Sequence, residues 1–152
     1  MPSDPHPLQP PPAAGLGRVP EARLRIGATL ERIHLSKLGP IFFGKRKTYR
    51  FDDPETEYGV LYAGLDAHCA FIETFGRVPG SEGIVLRSDL AARSISTLIA
   101  ARELKLADLR GHHLAQLRID SKIFSYTDYD VTQRWSRAFF EHAQSLYRFA
   151  IV

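Results

Sequence analysis

Apolar positions recur with two different periods, and stretches of each kind alternate along the chain. Residues 30–35 and residues 59–65 (Gly-Val-Leu-Tyr-Ala-Gly-Leu) have the short, apolar, β-rich character of strands, and no breaker decides whether the second starts at Gly59 or at Tyr58. Asp66 is placed to cap a helix carrying Ala67, Ala70, Phe71 and Phe75, which Gly76 ends. Residues 83–86, 95–99 and 104–109 are further strand candidates, and residues 146–152 read as a last strand. Asp130 followed by Gln133 predicts an aspartate version of the capping box. The helix it opens places Val131, Trp135, Ala138 and Phe139 on one face and Arg134, Arg137 and Glu141 on the other. Alternation of this kind predicts an α/β (α+β) fold, a single mixed sheet flanked by helices.

The N-terminal stretch breaks that pattern. Seven of the ten prolines fall within residues 1–20, with Pro10, Pro11 and Pro12 adjacent. Such a segment lacks backbone donors and apolar bulk, so residues 1–22 are expected to be a disordered arm, with one folded domain over residues 23–152. The 152 residues suit one domain, and the longest apolar runs are far too short for a bilayer. No cationic start followed by an apolar stretch is visible, and Cys69 is the only cysteine, which excludes an internal disulfide and multi-cysteine zinc. A cytoplasmic location is expected, with no membrane contact. The net charge of +3 is spread along the chain, apart from Lys45-Arg46-Lys47. That cluster reads as a solvated loop, because no interleaved aromatics accompany it for stacking bases, and direct nucleic-acid binding is not expected.

Several residues carry usable chemistry, though each has an ordinary reading. Arg50-Phe51-Asp52-Asp53-Pro54 brings an arginine and an aromatic into a turn, where an arginine commonly braces a loop. Tyr62 lies within an expected strand, and Glu73 lies on the helix that follows. His112-His113 has no cysteine or carboxylate at helical ligand spacing and reads as polar loop rather than metal site. Ser94 and Ser96 have no evident base, and no glycine-rich fingerprint follows a strand.

Taken in order, Arg50-Phe51, Tyr62-Ala63 and Glu73 resemble the RES-domain family, named for an arginine, a glutamate and a serine. The resemblance extends through Leu61-Tyr62-Ala63, Phe71-Ile72-Glu73-Thr74-Phe75, Leu106-Ala107-Asp108-Leu109 and Tyr129-Asp130-Val131-Thr132-Gln133-Arg134-Trp135-Ser136-Arg137-Ala138, over about residues 30–142. It implies a fold similar to ADP-ribosyltransferase toxins. It also implies cleavage of the nicotinamide–ribose bond of NAD, by water or by inorganic phosphate, in a toxin paired with an Xre-type helix-turn-helix antitoxin. NAD is then substrate, and no metal or other cofactor is expected.

By the same resemblance Arg50 is the family's arginine, Tyr62 its strand tyrosine and Glu73 its glutamate, with Phe51 as the aromatic after the arginine. Glu73 and Arg50 are the expected catalytic pair, and Arg50, Phe51 and Tyr62 the expected substrate contacts. Bond cleavage leaves a ribose with oxocarbenium character, which a carboxylate such as Glu73 opposes. A guanidinium such as that of Arg50 pairs with pyrophosphate or phosphate, and Phe51 and Tyr62 offer flat faces to the nicotinamide ring. The family's Tyr-x-Ser-Arg strand has no counterpart after Glu141. Ser145 precedes the strand-like stretch, so the C-terminal strand is expected to be incomplete and the domain truncated. The alternatives are a mono-ADP-ribosyltransferase, or a catalytically dead module that only binds its antitoxin. Homo-oligomerisation stays open.

Overall fold

The computed structural model describes residues 7–76 and 84–143. In chain order the elements are β1 (Glu21–Leu24), β2 (Thr29–Leu35), α1 (Ala67–Phe75), α2 (Arg87–Ala91), β3 (Arg93–Ile99), β4 (Leu104–Ala107), α3 (His112–Gln116) and α4 (Tyr129–Ala143). Short 3-10 turns lie at Ser36–Leu38 and Ser121–Phe124. The class is α+β. The strands, however, form two antiparallel ladders among the described residues rather than the one mixed sheet expected. β1 pairs with β4, and β2 pairs with β3 in a register from Thr29↔Ile99 to Leu35↔Arg93.

The missing piece of a larger sheet is residues 59–65, which form no strand. This stretch touches its neighbours only through single bridges, Glu31↔Gly64 and Gly44↔Val60. Two of its glycines are closely packed. A Cβ on Gly59 would lie 2.6 Å from Phe43 Cβ, and one on Gly64 would lie 2.5 Å from the Ala70 nitrogen. At these two positions the chain passes so close to the loop before it and to helix α1 that only glycine fits. The strand expected at residues 83–86 also fails: residues 84–86 lie outside any strand and lead into α2. Residues 146–152 lie outside the described residues.

α1 forms as its sequence predicts. The Asp66 carboxylate accepts from the Cys69 N–H at 2.7 Å, and the helix stops at Gly76, which keeps right-handed backbone rather than the left-handed turn usual for a terminal glycine. α4 starts differently from expectation. Asp128, not Asp130, accepts the N–H of Asp130, at 3.0 Å. Asp130 lies inside the first turn and pairs with Arg134 one turn on. Gln133 turns away from its own helix, for a reason described below.

One apolar cluster packs α4 against the turn at Phe51, the end of β4, α3 and the chain that follows α3. Trp135 and Phe139 of α4 pack with Phe51, Leu109, Leu114, Leu117, Ile119 and Ile123. The proline-rich segment joins it, unlike the unstructured arm expected from composition. Leu8 and Val19 are buried at 4% and 5% exposure, and Trp135 Nε1 donates to Gln9 O at 2.8 Å. Proline lowers the entropy lost when such a segment is ordered, so a few anchors suffice. A chain starting at residue 19 lacks Leu8, Leu16 and the acceptor for Trp135. It should be about 3 kcal/mol less stable, a fall in Tm on the order of 10 °C. An unchanged melting curve would show that the segment contributes nothing.

Candidate active site

The turn carrying Arg50 is built by two aspartates in succession. Asp52 Oδ2 accepts the N–H groups of Thr48 and Tyr49 at 2.9 and 3.0 Å. Asp53 accepts those of Glu55, Glu57 and Tyr58 at 3.1, 2.6 and 3.3 Å. Both are almost fully buried. Burial pushes the Asp52 carboxyl above its ordinary range, partly offset by the Tyr49 and Thr48 N–H groups and the Tyr62 hydroxyl. Without these side chains the tight path from residue 47 to residue 58 would leave its N–H groups unpaired.

α4 then clamps the carbonyls of the same turn. Thr132 Oγ1 donates to Arg50 O at 2.7 Å, Ser136 Oγ to Phe51 O at 2.6 Å, and Gln133 Nε2 to Lys47 O and Tyr49 O at 3.2 and 3.0 Å. The Ser136 proton is committed to Phe51 O, so the Tyr58 hydroxyl, 2.7 Å away, is the donor to Ser136. Burial is the main reason the Tyr58 hydroxyl is pushed up to about 12, which keeps its proton in place. Arg137 is drawn into the same structure. It leaves the solvated face expected of it, is 16% exposed, and meets Asp53, Glu55, Glu57 and Glu141 at 2.8–3.5 Å.

Arg50, Phe51, Tyr62 and Glu73 all line one cavity of about 460 Å³. That size lies within the roughly 300–1,000 Å³ typical of small-molecule sites. Arg50 donates to Phe124 O and, at 3.2 Å, to Tyr126 O, and its guanidinium lies 5.3 Å from the centre of the Tyr129 ring. These contacts hold it rigidly against the chain between α3 and α4. Tyr62 lies in the irregular stretch before α1, not mid-strand. Its hydroxyl accepts the Phe51 N–H at 3.1 Å and faces Asp52 Oδ1 at 3.5 Å. Burial first, then the charges of Asp52 and Glu73, push the Tyr62 hydroxyl far above its ordinary range, so it acts as a neutral group. Glu73 projects from α1 and is half-buried.

Phe51 departs from expectation. It is 3% exposed, belongs to the apolar core and meets Phe124 edge-on at 6.5 Å, so its ring is not an open stacking face. The aromatics with more surface at the cavity are Tyr49, whose ring is 5.8 Å from that of Tyr62, and Phe42. Arg32 and His34 of β2 and Tyr129 of α4 also line it. His34 supplies a partner that Ser96 seemed to lack: Nε2 and Ser96 Oγ are 3.0 Å apart. Nδ1 lies 3.1 Å from Leu35 O, which can only accept, so in neutral His34 the Nε2 atom accepts the serine proton. Nδ1 is thus held by a carbonyl rather than a carboxylate, and a Ser–His–Asp triad does not form. His112 and His113 are on α3 rather than in a loop, with His113 Nδ1 3.2 Å from the Asp108 carboxylate.

Sequence reasoning missed Thr132, Gln133 and Ser136. A partial signal existed: Thr132 stands three positions before Trp135 and Ser136 three before Phe139, beside the apolar stripe, whereas Gln133 falls toward the opposite face and carries no such signal.

The molecule is thus an α+β domain in which an arginine held by backbone carbonyls, a half-buried tyrosine and a helix-borne glutamate surround one cavity. The family model described as the RES domain matches residues 29–151, and the chain belongs to that family. No curated protein and no solved structure matches it. Among the described residues, no helix is long and apolar enough to cross a membrane.

Proposed function

We propose that this protein cleaves the nicotinamide–ribose bond of NAD, as the toxin partner of an Xre-type antitoxin in the cytoplasm. The observation that carries this reading is the placement of Arg50, Tyr62 and Glu73 around a single cavity, although 23 positions separate Arg50 from Glu73 (73 − 50).

The chemistry follows from the groups present. When the C–N bond breaks, its electron pair goes to the nicotinamide nitrogen and neutralises the pyridinium ring. The ribose carbon left behind is electron-poor, and the Glu73 carboxylate opposes that charge. Water or inorganic phosphate then forms the new C–O bond; water also releases a proton. Arg50, held by the Phe124 and Tyr126 carbonyls, is a fixed cation for the pyrophosphate or the attacking phosphate. The neutral Tyr62 hydroxyl, tied to the Phe51 N–H, contributes a fixed dipole without adding charge. No metal is required by these steps.

Incubation of the 152-residue protein with NAD, with and without phosphate, tests the reading when the products are resolved by mass. Free nicotinamide is expected with ADP-ribose or its phosphorylated form. ADP-ribose attached to protein would make the enzyme a mono-ADP-ribosyltransferase. A folded protein that releases no nicotinamide would be a catalytically dead antitoxin-binding module.

A further inference from the structure

The loop after β2 carries a feature that cleavage at the nicotinamide end does not use. Arg32 reaches out of β2 and donates to Pro40 O at 2.6 Å and to Phe42 O at 2.8 Å. No ion pair to Arg32 is present among the described residues, and burial pulls its guanidinium below the ordinary arginine range. A half-buried cation spent on two backbone carbonyls does one thing well: it sets the position of the segment that it grips. The chain beyond is braced too. Gly44 bridges to Val60, and Gly59 packs so closely on Phe43 that a side chain there would collide.

The residue so positioned is Phe42. It lines the cavity yet remains 41% exposed, and Tyr49 on the same cavity is 60% exposed. An aromatic ring left in water by a loop that merely needed to fold would be free to turn inward. Here the backbone under the ring is fastened by Arg32 instead. Aromatic faces held at a cavity rim recognise flat π-systems through stacking, with little dependence on which base is offered. We infer that Phe42, positioned by Arg32, is the stacking platform for the adenine end of the dinucleotide. This rests on the NAD reading for the identity of the base, and it explains how the cavity would distinguish a dinucleotide from a mononucleotide.

The test compares wild type, Phe42→Ala, Phe42→Trp and Arg32→Gln as full chains. Each is assayed for nicotinamide release from NAD and from nicotinamide mononucleotide, which lacks the adenylate. AMP binding is measured separately by calorimetry. Stacking on one base is commonly equivalent to about a tenfold change in affinity or more. Phe42→Ala should therefore raise KM for NAD about tenfold and leave kcat within about twofold. The KM for the mononucleotide should not move, AMP binding should be lost, and Phe42→Trp should restore both. Arg32→Gln should mimic Phe42→Ala, and the double variant should be no worse than either single one, because both act through the same ring.

Unchanged AMP binding and an unchanged KM for NAD in Phe42→Ala overturn the inference. A larger KM for the mononucleotide as well would overturn it too, by showing general damage to the cavity. If wild type releases no nicotinamide, the cleavage reading fails on its own, and AMP binding to wild type and Phe42→Ala still decides the role of Phe42.

Discussion

Glu73→Gln is expected to lower nicotinamide release from NAD by about a hundredfold or more, the usual scale for removing a positioned electrostatic group from a reacting centre. The amide matches the carboxylate in size and shape, removing its charge and replacing one acceptor oxygen with an N–H donor. Glu73 is half-buried on α1, whose stability comes from the Asp66 cap and from buried Ala70 and Phe75, so the melting temperature should stay close to that of wild type. The loss should appear in kcat rather than KM, because the charge that Glu73 opposes develops as the bond breaks. Near-normal turnover would remove Glu73 from the mechanism. Arg50 gives a less direct test, since Arg50→Ala also releases the Phe124 and Tyr126 carbonyls; Arg50→Lys retains the charge and separates the two effects.

Asp53→Ala should be the most damaging change to the fold, costing about 4 kcal/mol. Its carboxylate is fully enclosed and accepts three backbone N–H groups while facing Arg137 at 3.5 Å. Alanine leaves those donors without their acceptor and takes one carboxylate from an arginine that is itself only 16% exposed. Asp53→Asn retains one acceptor oxygen and should recover about half of the loss. Denaturant unfolding with an unchanged slope is the measurement. A loss below about 1 kcal/mol would mean that the loop pairs its donors in another way. Turnover should fall in Asp53→Ala even where the protein remains folded, because residues 53–58 follow directly on the turn that aims Arg50.

Much of the local structure was legible beforehand. The Asp66 cap, the helix through Phe75, strand β2 and the Trp135–Phe139 stripe are set by residues within a turn or two of one another, where side-chain period and capping chemistry operate. The order of Arg50, Tyr62 and Glu73 likewise pointed to one site by resemblance, and the family match over residues 29–151 bears out the membership it implied.

Long-range contacts decided the rest. Asp130 satisfies the pattern of a cap, yet Asp128 takes that place and Gln133 is drawn to the carbonyls of residues 47 and 49. The bond from Ser136 to Phe51 joins positions 85 residues apart, and no local period encodes it. Phe51 reads as a stacking face in sequence and becomes core because Phe124 and α4 close over it. Residues 59–65 have the composition of a strand but form none, with Gly59 close against Phe43 and Gly64 against α1. A proline-rich segment that looks featureless acquires a place because Trp135 needs an acceptor and the core accepts Leu8 and Val19. Near neighbours alone decided α1, strand β2 and the apolar stripe of α4, since capping and side-chain period are satisfied locally; residues 59–65, with the same kind of local preference, did not follow it. Only the tertiary structure decided which polar groups are buried together, because burial makes every unpaired donor costly and the partner that satisfies it can come from anywhere in the chain.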